Sequence, residues 1–137
     1  MPMKKGIAAA GNWIVDWVKV IDAYPAEERL ANVLSVTRGG GGGAHNVLIG
    51  LARMKAPFPL YGIGFVGNDD DGRFLIEEAK EEKIDFSGIR VSLDHPTSFT
   101  DVMTVESTGT TSSSSTCPRA PSRSRRRRAS SGCRRGP

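Results

Sequence analysis

From Thr110 to the C-terminus the chain has no valine, isoleucine, leucine, methionine, phenylalanine, tryptophan or tyrosine, and no acidic residue. A segment with so little to bury cannot offset about 1–2 kcal/mol per residue of backbone ordering. The sequence therefore predicts one domain over 1–109 and a disordered Ser/Arg/Pro-rich tail over 110–137. Cysteine is missing from the body; Cys117 and Cys133 both lie in the tail with no histidine near them. That argues against a disulfide framework and makes a poor zinc site. A cysteine-free body suits a reducing compartment, and a cytoplasmic location is expected. No apolar run approaches the ~20 residues of a membrane span, so no membrane partner is expected. Lys4 and Lys5 ahead of "GIAAAGNWIV" faintly suggest a secretory leader, but Asn12 and Asp16 interrupt the run and no clear cleavage site follows.

The net charge of +4 conceals two opposed segments. Residues 1–109 hold eleven Lys and Arg against fifteen Asp and Glu, while the tail holds eight arginines. "RSRRRR" suits phosphate contacts through counterion release, which makes non-specific nucleic-acid binding the alternative function. The tail has no interleaved aromatics for base stacking, and the acidic body extends no basic patch.

Within the body, strand-like and helix-like patterns alternate. "GIAAAGNWIV" reads as a buried first strand, and "VKVID" and "ANVLSV" as extended pieces on either side of Pro25. "AHNVLIGLARMK" carries Val47, Leu48, Leu51, Ala52 and Met54 at helical spacing. "PLYGIGFVG" reads as a short buried strand. "DDGRFLIEEAKEEKI" is an amphipathic helix with Phe74, Leu75, Ala79 and Ile84 on one side, capped by Asp70 or Asp71. "SGIRVS" and "TSFTDVMTVES" are further strands, the last of them alternating. This order predicts an α/β fold with a parallel sheet. The extended pieces at 14–22, 31–37 and 98–106 do not fit that layer and predict a small separate sheet, such as a lid.

"YGIGFVGNDDDG" spells G-x-G-x-x-G at Gly62, Gly64 and Gly67, a phosphate-cradling pattern when it joins strand to helix. Asp69, Asp70 and Asp71 then occupy the place a phosphate would take. Their charge repels it, and their oxygens compete for the same backbone N–H groups. The expected reading is a strand whose glycines permit close packing, followed by a turn and cap; a metal site on the aspartates is the less favoured one.

"VGNDDDG" (Val66–Gly72) resembles the V-G-x-D-x-x-G turn of the ribokinase-like (PfkB) carbohydrate kinases. "GGGAHN" (Gly41–Asn46) resembles that family's first signature, and "GNWIVD" (Gly11–Asp16) its first strand, which ends in a sugar-contacting Asp. The resemblance covers residues 6–109. It implies an incomplete ribokinase-like (Rossmann-type) parallel sheet with helices and a small β lid, ATP-dependent phosphoryl transfer to a sugar hydroxyl, and ATP and Mg²⁺ in the full-length protein. It also implies a small-molecule sugar as partner and a homodimer through the lid strands. Ile14, Gly43, Leu48 and Lys55 depart from the family pattern, and these bear on which sugar is used.

Asp16, Gly41, Gly42 and Asn46 are the substrate-binding candidates by this resemblance. A carboxylate at a strand end can accept hydrogen bonds from two sugar hydroxyls; the plainer reading is a solvated turn acid. Gly41 and Gly42 admit a ligand close to the backbone, or form a flexible linker. Asn46 can donate and accept, or cap a helix. His45 reads as a surface or cap residue, and Trp13, Trp17 and Tyr24 as core or lid aromatics rather than sugar platforms. Phosphoryl transfer also needs an aligning carboxylate, an anion hole and Mg²⁺. The family's later G-A-G-D-like motif, which supplies these, does not occur in the 137 residues. The expectation is a truncated, inactive fragment holding part of a sugar site, with no catalytic, cofactor or metal residues of its own. The abrupt change after "VESTGT" is what a frameshift in GC-rich coding DNA produces. Sequencing the locus tests this: a single-base correction near codon 110 restores an apolar α/β continuation, and an uninterrupted basic frame refutes it.

Overall fold

The computed structural model describes residues 5–116. In chain order these form β1 (Ile7–Ala10), β2 (Ile14–Ile21), β3 (Val33–Gly41), α1 (Gly43–Arg53), β4 (Leu60–Gly67), α2 (Asp70–Glu81), β5 (Asp85–Ser92), β6 (Ser98–Val105) and β7 (Thr111–Thr116). β1, β4 and β5 make a parallel sheet in the order β1-β4-β5. The other four strands make a second sheet in the order β3-β2-β6-β7. The extended pieces at 14–22, 31–37 and 98–106 thus share one separate sheet, as a lid requires. There β2 pairs antiparallel with β3 and parallel with β6.

The expected first strand "GIAAAGNWIV" is in fact two, one in each sheet. The break falls at Gly11–Trp13, where Trp13 turns into the core and is only 2% exposed. Its indole lies across β4. A Cβ on Gly62 would stand 2.7 Å from Trp13 Cζ2, and one on Gly64 would stand 2.5 Å from Cδ1. The first two glycines of the G-x-G-x-x-G pattern are therefore a groove for a tryptophan. β1 is also not buried as expected. Three of its four residues are exposed, because both helices pack on the same side of this sheet.

Helix α1 starts from Gly42, whose φ of 97° favours glycine and whose Cβ would strike the Asn12 carbonyl oxygen. Its buried residues are Ala44, His45, Leu48 and Ile49, two adjacent i, i+4 rows. Val47 and Met54, expected inside, are exposed. The apolar residues of this helix extend beyond one face, so periodicity alone misplaced the stripe. Helix α2 buries Leu75 and Ala79 as expected, with Ile84 just beyond its end, against Trp13, Val15, Leu48, Leu60 and Val66.

Asp69, rather than Asp70 or Asp71, caps α2. Its Oδ1 accepts from the Gly72 N–H at 2.8 Å and from the Thr97 hydroxyl at 2.6 Å. Its Oδ2 accepts from the Thr97 N–H at 2.7 Å. The Thr97 hydroxyl oxygen in turn accepts from the Gly67 N–H at 2.8 Å. One carboxylate thus joins the end of β4, the start of α2 and the approach to β6. Burial pushes the Asp69 carboxyl up, but the Thr97 and Gly72 hydrogen bonds, helped by the charge of Arg73, hold it below the usual aspartate value.

The boundary expected at Gly109 does not hold. Residues 111–116 form β7, antiparallel to β6, with Thr104 opposite Thr111 and Phe99 opposite Thr116. An edge strand needs backbone partners on one side only, and threonine and serine can form one without apolar side chains. The rest of the expected tail, with its arginines and both cysteines, lies outside the described residues. Across the parallel sheet from the helices, Ile63 and Phe65 are 45% and 47% exposed, beside the exposed Ala8 and Ala10. Among the described residues no helix is long and apolar enough to cross a membrane.

Four outcomes are expected. Asp69→Ala lowers stability by about 1–2 kcal/mol in denaturant titration, the usual loss for a helix cap. Because the folded Asp69 carboxyl titrates below its free value of 3.8, its contribution is complete above that pH and fades as pH falls through the folded value. Acid unfolding of the Asp69→Ala variant should therefore be less steep there. Gly64→Ala forces a methyl against the Trp13 ring and costs about 1–3 kcal/mol by overpacking. Phe65→Glu should reduce concentration-dependent association in sedimentation velocity with little loss of stability, since the side chain is half-exposed.

Candidate functional site

The residues singled out from the sequence gather where β2, β3 and α1 meet. In the β2–β3 ladder Ile14 lies opposite Gly41 and Asp16 opposite Gly39. Gly39–Gly41 are thus strand rather than linker. The half-buried Asp16 carboxylate lies against the backbone of Gly41, so closely that a Cβ there would collide with Oδ2. Among the described residues the Asp16 carboxylate has no hydrogen bond or ion pair to the protein. Gly42 follows directly and turns the chain into α1.

Asn46 stands one turn into α1, where its N–H donates to the Gly42 carbonyl at 2.9 Å. Its side chain is turned to His45, with Oδ1 3.2 Å from Nδ1, and makes no bond to Asp16. The fold thus brings Asp16, Gly41 and Gly42 together and leaves Asn46 exposed alongside them. His45 corrects its surface reading. It is 2% exposed, its Nε2 lies 2.9 Å from Glu78 Oε2, and its ring meets Trp13 edge-on at 5.4 Å.

The three aspartates after β4 do not gather on one point. Asp69 caps α2, and Asp70 pairs with Arg73. Asp71 accepts from Trp17 Nε1 at 3.2 Å and from Arg38 at 3.4 Å. The Arg38 guanidinium also lies 4.2 Å from the Phe74 ring centre. Asp71 therefore ties α2 to two lid strands, a role that adjacency in sequence concealed. Tyr24 is exposed, away from the core, while Trp13 and Trp17 serve core and lid. Sequence reasoning missed Arg38, Glu78 and Thr97 and gave Asp71 a cap's role, because each acts through a partner 28 to 54 residues away.

Residues 6–119 match the model of the pfkB family carbohydrate kinases. Over 85 residues the chain is 31% identical to the ATP-dependent ribose-1-phosphate kinase of Halopiger xanaduensis, covering 62% of this chain and 28% of that one. In fold it is similar to the nucleoside kinase of Methanocaldococcus jannaschii, with a TM-score of 0.73, 18% identity, and 83% of this chain and 37% of that one covered. A ribokinase of Cryptococcus neoformans in complex with ADP gives a TM-score of 0.69 at 17% identity, over 80% of this chain and 33% of that one. The chain spans about a quarter to two fifths of the length of these relatives. Matched over most of its length, with the parallel sheet and helices of those structures, the chain belongs to the pfkB family of carbohydrate kinases.

Proposed function

We propose that this chain is the sugar-binding portion of an ATP-dependent carbohydrate kinase that moves a phosphoryl group to a sugar hydroxyl. The observation that carries this reading is the Asp16 carboxylate, half-buried against Gly41 and without a hydrogen-bond or ion-pair partner among the described residues. A carboxylate held in this way accepts hydrogen bonds from two adjacent sugar hydroxyls and fixes their orientation. Gly41 and Gly42 present bare backbone, which lets a ring approach closely, and Asn46 supplies a donor and an acceptor. A polar, directional site of this kind rejects ligands that lack the matching hydroxyls.

The residues described here do not fit the nucleotide or its Mg²⁺. The N-terminus of α2 is filled by the Asp69 carboxylate, and Asp70 and Asp71 are engaged by arginine. In this reading ATP, Mg²⁺ and the aligning base are held by segments beyond these 137 residues, in the cytoplasm where ATP is supplied. The lid is read as the dimer surface. Val33, Leu34 and Val36 stand half-exposed on its edge strand β3, as pairing with a second copy requires.

The chain as given should show no ATP-dependent sugar phosphorylation in a coupled assay. In a version restored to the length of its relatives, Asp16→Ala should lower kcat/KM for the sugar roughly ten- to a hundredfold. That corresponds to about 1.5–3 kcal/mol for hydrogen bonds to a charged group. Nucleotide binding should be unchanged. Unaltered sugar kinetics would remove Asp16 from the site. Phosphorylation by the chain as given would require a catalytic group among Asp69, Asp70, Asp71 and Asp101.

A further inference from the structure

His45 is the one buried histidine among the described residues, and the sugar site as read above gives it no task. Its ring is held on both nitrogens. Nε2 lies 2.9 Å from Glu78 Oε2 on α2, and Nδ1 lies 3.2 Å from Asn46 Oδ1 on its own helix. The Trp13 ring meets it edge-on at 5.4 Å. β3 passes so close that any side chain at Gly40 would collide with both His45 Nε2 and the Glu78 carboxylate. A glycine backbone, an aromatic wall and two helices therefore leave the imidazole one orientation.

We propose that Glu78 and His45 are positioning residues that set which end of the Asn46 side-chain amide is offered to a ligand. This rests on the reading of Asn46 as a sugar contact. A carboxylate can only accept, so Nε2 carries a proton towards Glu78 in either charge state of the ring. Nδ1 then decides the matter. In the doubly protonated ring, Nδ1–H donates to Asn46 Oδ1, which lies 3.2 Å away. The Asn46 NH₂ group is left facing outward, a donor for a hydroxyl oxygen. In the neutral ring Nδ1 accepts instead, so the amide must turn over, give its NH₂ to the ring and offer its oxygen outward. The ring's charge state thus becomes a donor-or-acceptor choice at an exposed residue.

The charged groups around the ring can be named. From α2, Glu78 faces it directly; Glu82 acts only through Arg53. From α1, Arg53 reaches the other Glu78 oxygen at 3.4 Å and Glu82 at 2.9 Å. β3 and the segment before β2 contribute the Gly40 backbone and the Trp13 ring, neither of them charged. Glu78 is thus the carboxylate that faces the ring, and Arg53 holds its other oxygen at 3.4 Å.

The test is a pH titration of the 137-residue chain followed by NMR, with ¹⁵N labels in the histidine ring and the asparagine side-chain amide. No ligand is needed. The expected result is that the His45 ring nitrogens and the Asn46 NH₂ signals move together with one midpoint. In Glu78→Gln both midpoints should change together, since the group facing Nε2 has been replaced. An Asn46 signal that stays flat while His45 titrates overturns the proposal. So does an Asn46 signal whose midpoint ignores Glu78→Gln while that of His45 shifts. Asp16→Ala should leave the coupled titration intact, so a failure of the sugar reading and a failure of this relay give different results. The titration of the unsubstituted chain stands alone if Glu78→Gln does not fold.

Discussion

The indole of Trp13, packed against the bare backbone of Gly62 and Gly64, is the contact on which the rest of the arrangement depends. It fixes the point where the chain leaves the parallel sheet and begins the lid. The same ring makes a T-shaped contact with His45, and so joins α1 to β4. Dispersion contacts are individually weak, but a large flat ring in a groove without side chains makes many of them. With Leu48, Leu75, Val15 and Val66 fully buried around it, the two helices and both sheets share one core. The glycines of β4 are therefore a packing device, and their spacing mimics a phosphate loop only because alternate residues of a strand face one way.

The site inherits its shape from this core. The turn from β3 into α1 must pass the segment that carries Trp13, and Gly42 does so against the Asn12 carbonyl. Gly41 does so against Asp16. A polar carboxylate is thus left half-buried beside bare backbone, at the junction of the two sheets. Such a place costs desolvation unless something polar fills it, and a polyhydroxylated ligand is well suited to do so.

Much of the architecture was legible in the sequence. The alternation of strands and helices, the separate lid sheet and the apolar face of α2 follow from periodicity, which reports local geometry. The three motifs that carry the family resemblance are likewise contiguous stretches. What could not be read was pairing at a distance. "NDDDG" gives no hint that Asp69 serves Thr97 while Asp71 serves Trp17 and Arg38. The burial of His45 was hidden because its partner, Glu78, lies 33 residues away. The register of α1 failed for a different reason. Val47 and Met54 are as apolar as Leu48, and only the sheet beneath decides which of them is covered. At Thr111–Thr116 composition misled outright, since backbone pairing to β6 asks nothing of the side chains.

The opening turn of α2 has one further mechanical consequence. Three parts of the lid are fastened to it by side chains: Trp17 of β2 and Arg38 of β3 on Asp71, and Thr97, just before β6, on Asp69. These two carboxylates are two residues apart on one helix end. A single helical turn therefore carries the side-chain ties of three lid segments, so that the placement of the lid and the placement of α2 are set together.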